Sequence, residues 1–300
     1  MNAMTQTTLS SSLASRAMLV TLNISQWSAR KRDKTVTDEV NSQHGASSTA
    51  GNYNKHLLPD GALDDVQKVV SAARNEFVIR TLPWQNDGSR IMAADKYFEM
   101  STWFQGHKTA FNAAVGTFLN QYDVHRQNAQ AKLGSMFKDT DYPTREDLAQ
   151  RFGIDFRVNL IAASDDIRLA MSDEDAARIR ESVEQQVAEA TNAAVREIYG
   201  RVKNVLDRMV DRLNAYKPSQ GKGKPAEGVF TSTLVTNVEE LIGILPALNI
   251  TGDPAIAALA DKLKAVTQFD ATELREDAAA RKATATSAQT ILDSMSGMFA

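Results

Sequence analysis

The sequence contains no cysteine. Disulfides, thiolate metal ligands and cysteine nucleophiles are therefore excluded, and the composition is the one expected in a reducing cytoplasm. It has no apolar run approaching the ~18 residues that span a bilayer, so no membrane association is expected. Met1 to Ala14 is a Ser/Thr-rich polar stretch without a basic region ahead of an apolar one, so no signal peptide is expected either. Neither sign of charge dominates. With 34 basic and 37 acidic residues the net charge is −3, which argues against a globally basic nucleic-acid binder.

Catalytic patterns are also missing. The four histidines are His44, His56, His107 and His125. The last two fall on one predicted helix roughly 27 Å apart, too far to share a metal, and none has a carboxylate at H-E-x-x-H or E-x-x-H spacing. There is no G-x-S-x-G and no G-x-G-x-x-G. Gly221-Lys222-Gly223-Lys224 has the wrong spacing for a phosphate loop, no Ser or Thr after the lysine and no strand before it. The runs Asp64-Asp65 and Asp173 to Asp175 stand at predicted helix starts, where capping explains them. No nucleophile, base and orienter assemble. A non-enzyme without cofactor or metal is the expectation.

What the chain does have is long helical periodicity. Ile179, Val183, Val187, Thr191, Ala194, Ile198, Val202, Val205, Met209 and Leu213 recur at steps of three and four, predicting one helix over Ser172–Lys217. Ser172 and Asp175 make its capping start, and Pro218 with Gly221 its stop. Acidic residues crowd its first half and basic residues its second, as the helix dipole favours. Such a rod, ~65–70 Å long, needs other helices alongside. A second long helix, the most aromatic, is predicted over Met92–Phe137 with its stripe through Tyr97, Phe104, Phe111, Val115, Phe118 and Tyr122; Gly106, Gly116 and Gly134 interrupt it. Shorter helices are predicted from Asp60 to before Pro83, over Thr233–Leu245 and Pro254–Val266, and from Asp270 to about Met298 on an alanine-rich stripe.

Period-two alternation marks two strands, Met18–Trp27 and one around Phe156, Val158 and Leu160, expected to pair. The fold class is therefore mostly α: an elongated bundle of long antiparallel helices with a small two-stranded β element. Residues 1–16 are expected to be a disordered tail, 17–300 a single elongated domain, and 218–228 a flexible connection.

Two groups are candidate contacts. Trp27, Arg30, Lys31 and Arg32 place cations beside an aromatic, a combination that holds phosphates or stacks on bases; a buried Trp27 followed by a solvated basic segment is the favoured alternative. Met295, Met298 and Phe299 close the last helix with adaptable apolar side chains, offering a surface to a protein partner, or docking back onto the body.

Thr81-Leu82-Pro83-Trp84, then Gly88-Ser89-Arg90-Ile91 and Tyr97, resemble the central signature of the domain-of-unknown-function 3150 family of phages and bacteria. Leu22 to Lys31 around Ile24 and Trp27 adds to the resemblance. So do Leu133-Gly134 followed by Asp141-Tyr142-Pro143, Leu148 and Phe152, and Asn237 to Asn249 around Leu241, Leu245 and Pro246. The family has no assigned catalytic residues. Its members are often encoded near MoxR-type AAA+ ATPases and von Willebrand A-domain proteins. The resemblance therefore implies a non-enzymatic phage or mobile-element interaction protein in the host cytoplasm, an adaptor or partner of such an ATPase. A second copy of the chain (a homo-oligomer) is the other protein partner considered. Alternatives are a nucleic-acid-associated protein using Arg30 to Lys34 and the lysines of 217–224, or a phage inhibitor of a host defence system.

Overall fold

The structure, a computed structural model, describes residues 9–85, 88–163, 172–221 and 224–298. It is 65% helical with a small antiparallel sheet, so the chain is mostly α. In chain order the elements are α1 (Leu9–Ala14), β1 (Ala17–Ser25), β2 (Arg30–Arg32), α2 (Lys34–Gln43), β3 (Asn54–His56), α3 (Asp64–Arg80), β4 (Leu82–Pro83) and β5 (Arg90–Ala93). They continue with α4 (Tyr97–Leu133), α5 (Arg145–Ala149), β6 (Gly153–Asn159), α6 (Asp173–Ala215), α7 (Thr233–Leu248), α8 (Pro254–Leu263), α9 (Ala271–Glu276) and α10 (Ala278–Ser294). Among the described residues no helix is long and apolar enough to cross a membrane.

The two predicted strands are neighbours, but the sheet is larger than a two-stranded ribbon. Its order is β4-β5-β1-β6, and β2 with β3 forms a separate pair. Met92, expected inside the second long helix, instead faces Met18 across the β1–β5 ladder. That helix therefore starts only at Tyr97, after a 3-10 turn over Ala94–Lys96. Its other end comes at Gly134, which takes φ +51, a backbone state that costs glycine little. Pro83 is confined to the two-residue edge strand β4, where a missing N–H leaves no ladder bond unmade.

The contacts divide the chain into two compact units. The first comprises residues up to Thr21, Val78–Phe98 and Val158–Ala300; the second comprises Leu22–Phe77 and Glu99–Arg157. The chain passes between them within β1, α3, α4 and β6. Of the two long helices, α6 supplies the core of the first unit and α4 that of the second.

In the first unit α6 buries Val187, Ala194, Ile198, Val202, Leu206, Met209 and Leu213 against α7, α10 and β4, in a core that α8 and β5 share. Its start is the predicted one, with the Ser172 hydroxyl accepting the Asp175 amide at 3.1 Å. α10 lies along α6 through Ala285 and Ala288, small side chains that let the backbones approach. The last helix is not continuous as expected. Asp277 leaves helical geometry (φ −102, ψ 110) and accepts the Ala279 and Ala280 amides, so α9 ends and α10 starts anew. α1 occupies part of the expected disordered tail: Leu13 is core, and Ser10 bonds to Glu184 of α6 through hydroxyl and amide; residues 1–8 lie outside the described residues. The expected flexible connection is closed at its base by a backbone pair between Lys217 and Glu227, with Lys217 Nζ 2.9 Å from Glu227 Oε2.

In the second unit α3 buries Val66 and Val70, and α4 buries Phe111, Val115, Phe118, Tyr122 and Ala129, around Trp27, Leu57, Tyr142 and Leu148.

Candidate functional site

The predicted basic cluster lies in the second unit, where sequence order decides which cations face water. Trp27 is buried and meets Tyr122 edge to face, with ring centroids 6.1 Å apart. Ala29, at φ +51 and buried, then turns the chain outward; a left-handed alanine costs about 1 kcal/mol or more. It is held there by its carbonyl, which accepts the Leu57 amide at 2.8 Å. Arg30, Lys31 and Arg32 follow as β2, paired antiparallel with His56, Lys55 and Asn54 of β3.

Alternation along a strand separates these side chains into two sets. Lys31 and Lys55, directly opposite one another, would repel. Between them stands Asp141, with Oδ1 2.8 Å from Lys31 Nζ and Oδ2 2.6 Å from Lys55 Nζ. The latter contact is charge pairing without the angle of a directed hydrogen bond, for Asp141 Oδ2 has no hydrogen-bond partner. Lys55 Nζ also donates to Asp33 Oδ2 (3.1 Å) and to the Met136 carbonyl (2.8 Å). Asp33 in turn caps α2 by accepting the Val36 amide.

The Lys55 side chain is 2% exposed, and those of Asp33 and Asp141 are 4% and 5% exposed. Burial pulls the Lys55 ammonium down, but the pairings with Asp141 and Asp33 outweigh it and hold its pKa above the ordinary value. Lys55, then the Val36 amide, holds Asp33 below the carboxylate range. Burial pushes Asp141 up, and Lys31 and Lys55 together bring it below its usual value. All three groups are thus kept ionised. A lysine held in its charged form is no nucleophile or Schiff-base donor; the network joins β3, the α2 start and the turn before α5.

Of the four predicted contact residues, Trp27 is core, Lys31 is tied to Asp141, and Arg30 and Arg32 are left facing solvent. Lys217 is paired with Glu227, Lys224 Nζ lies 3.4 Å from Gln220 Oε1, and Lys222 falls outside the described residues. The C-terminal group is divided too. Met295 is 3% exposed and belongs to the core of the first unit, so it offers no contact surface; with a thin alanine stripe above it, this side chain is needed to fill the end of the α6–α10 seam. Met298 closes a 3-10 turn over Ser296–Met298, and Phe299 lies outside the described residues.

Sequence reasoning missed a second ionic joint, in the first unit. Arg201 of α6 donates to the carbonyls of Ile79 (2.8 Å), Val78 (2.9 Å) and Thr81 (2.9 Å). Arg90 donates to the Thr81 hydroxyl (2.6 Å) and carbonyl (2.9 Å). Two guanidinium groups thereby donate to the carbonyls where α3 ends, one of which, that of Val78, also accepts the Thr81 amide. Burial, then the charge of Arg201, lowers the Arg90 pKa from its ordinary value. Among the described residues no three His, Asp or Glu side chains converge as metal ligands. No family model, curated protein or solved structure matches the chain.

Proposed function

We propose that this is a non-enzymatic interaction protein of phage or mobile-element type, an adaptor or partner of a MoxR-type AAA+ ATPase and a von Willebrand A-domain protein in the host cytoplasm. The partner class rests on the resemblance borne by Thr81–Trp84, Gly88–Ile91 and Tyr97. The observation that carries a contact role is the aromatic pair at the start of α4. Tyr97 and Phe98 pack edge to face at 5.5 Å, yet Phe98 is 80% exposed. Aromatic side chains held in water are costly to a protein with no use for them, and they are enriched where partners bind. Phe98→Ser should leave the melting temperature within about two degrees, the effect of a surface change, while abolishing recovery of the ATPase or the A-domain protein with the tagged chain from its own cells. Recovery unchanged in the variant, or neither protein recovered with the unmodified chain, would overturn the reading.

A second reading, contact with nucleic-acid phosphates, is favoured by the solvent-facing guanidiniums of Arg30 and Arg32 on β2. With Lys34, also exposed, the stretch offers three cations, which imply a slope of about −3 in log affinity against log salt, too shallow for a strong binder. The expected result is no specific retention of duplex DNA at ~150 mM salt. Submicromolar affinity that Arg30→Glu with Arg32→Glu abolishes would place nucleic acid first. Lys31→Glu should act differently, destabilising the fold by ~1–2 kcal/mol through a second carboxylate beside Asp141.

A further inference from the structure

The last turns of α6 carry Arg208 and Arg212, four residues apart and so on one face of the helix. Both side chains are exposed, and among the described residues neither has an ion-pair or hydrogen-bond partner. The nearby carboxylate of Asp207 is already taken by Lys203, at 2.5 Å. The two guanidiniums line a cleft of about 450 Å³ between α6 and the start of α7, entirely within the first unit. A volume in that range suits a small organic molecule.

The opposite wall is polar at one point and apolar beside it. The hydroxyls of Thr231 and Thr233 lie 2.7 Å apart; one donates to the other, which leaves one O–H hydrogen for a ligand. Val205, Val229 and Leu234 supply the apolar surface, with the buried Phe230 behind it. Phe230 is fixed from behind: Tyr216 meets its ring at 5.4 Å, Arg275 lies over it at 5.9 Å, and Arg275 Nη1 donates to its carbonyl at 2.8 Å. A wall locked in this way loses little entropy when a ligand arrives.

Two adjacent guanidinium forks match two negative charges spread over several acceptor oxygens. A phosphate dianion supplies that, with an oxygen to spare for the threonine hydroxyl; a single carboxylate supplies half the charge. The apolar wall asks for an organic body beside the phosphate. We propose that this cleft binds a phosphate monoester of a small molecule, with Arg208 and Arg212 on the phosphate and Val205, Val229 and Leu234 against the organic part. The assignment is independent of the partner reading and of the β2 cations.

Titration calorimetry on the whole chain at low salt tests it with phenyl phosphate as probe. Phenyl phosphate should bind about fivefold more tightly than inorganic phosphate, because it alone reaches the apolar wall. Arg208→Gln with Arg212→Gln should weaken it by about tenfold or more at unchanged melting temperature. Arg180→Gln with Arg196→Gln removes the same charge from exposed positions on the same helix and should leave affinity within about twofold. No heat with millimolar phenyl phosphate would overturn the proposal, as would equal losses in the two double variants. Equal affinity for inorganic phosphate would reduce the site to an adventitious ion only. A phosphoserine peptide binding more tightly than phenyl phosphate would overturn the small-molecule assignment.

Discussion

Lys55→Ala is expected to destabilise the second unit by ~3–5 kcal/mol, the loss that follows when one partner is taken from a buried ion pair. The reason is asymmetry. The substitution leaves Asp33 and Asp141 facing each other's charge in a site from which water is largely excluded, and leaves the Met136 carbonyl without its donor. Removing the whole network should cost less than removing its centre. Lys55→Met combined with Asp33→Asn and Asp141→Asn should therefore recover part of the loss seen with Lys55→Met alone. Urea unfolding measures both. A change below about 1 kcal/mol for Lys55→Ala would show that the network contributes nothing at its centre.

The same network sets a pH window. Asp33 and Asp141 have folded pKa values below the ordinary 3.8, so their stabilisation is present above that value and lost as pH falls through the lowered folded values. Lys55 has a folded pKa above the ordinary 10.5, so its contribution is present below 10.5 and lost as pH rises through the raised value. Stability should then be flat in these groups between the two limits. The Lys55→Met, Asp33→Asn, Asp141→Asn variant should show less loss at either extreme than the parent.

Phe111→Ala is the second large effect, again ~3–5 kcal/mol, from lost burial plus the cavity left behind. Phe111 is 1% exposed within the core of the second unit. Its control stands on the same helix: Phe98→Ala, at 80% exposure, should change stability by no more than ~0.5 kcal/mol. Comparable losses for the two would contradict the placement of α4's buried stripe.

These two predictions differ in what the sequence could show. Phe111 was readable because burial on a helix repeats. With Phe104, Val115, Phe118 and Tyr122 it forms a stripe at steps of three, four and seven, and those residues are buried in the structure. The same logic located α6 to within two residues at its C-terminal end and one at its start, and Asp270, the expected start of the last helical segment, caps α9. Lys55 was not readable. Its partners stand far off in sequence, and nothing in a local window distinguishes a lysine that will be buried from one that will be solvated. The same blindness hid β2: a run of three cations reads as solvated chain, and only its pairing with β3 makes it a strand. Arg90 and Arg201 were invisible as a joint for the same reason.

Other residues of the two cores hold such joints. Leu82, Trp84 and Ile91 are core of the first unit, Thr81 and Arg90 close the end of α3, and Asp141 pairs with Lys31 and Lys55. The Tyr142 hydroxyl donates to the Leu57 carbonyl at 2.7 Å, and the Pro143 carbonyl accepts from Tyr122 at 3.0 Å.

The interleaving of the two units along the chain has a consequence for the order in which the molecule is made. Leu22–Phe77 and Glu99–Arg157 are all synthesised before α6, so the second unit can close its core first. Leu82, Trp84 and Ile91 must wait for the helix that covers them. Ser10 waits for Glu184 and Arg16 for the Thr251 carbonyl, and the core is complete only with Met295. At ordinary rates of synthesis that interval is on the order of ten seconds. A nascent chain halted once Arg157 has emerged, and before Met295 is added, would present a finished unit joined to bare apolar strands, the form on which chaperones and proteases act first.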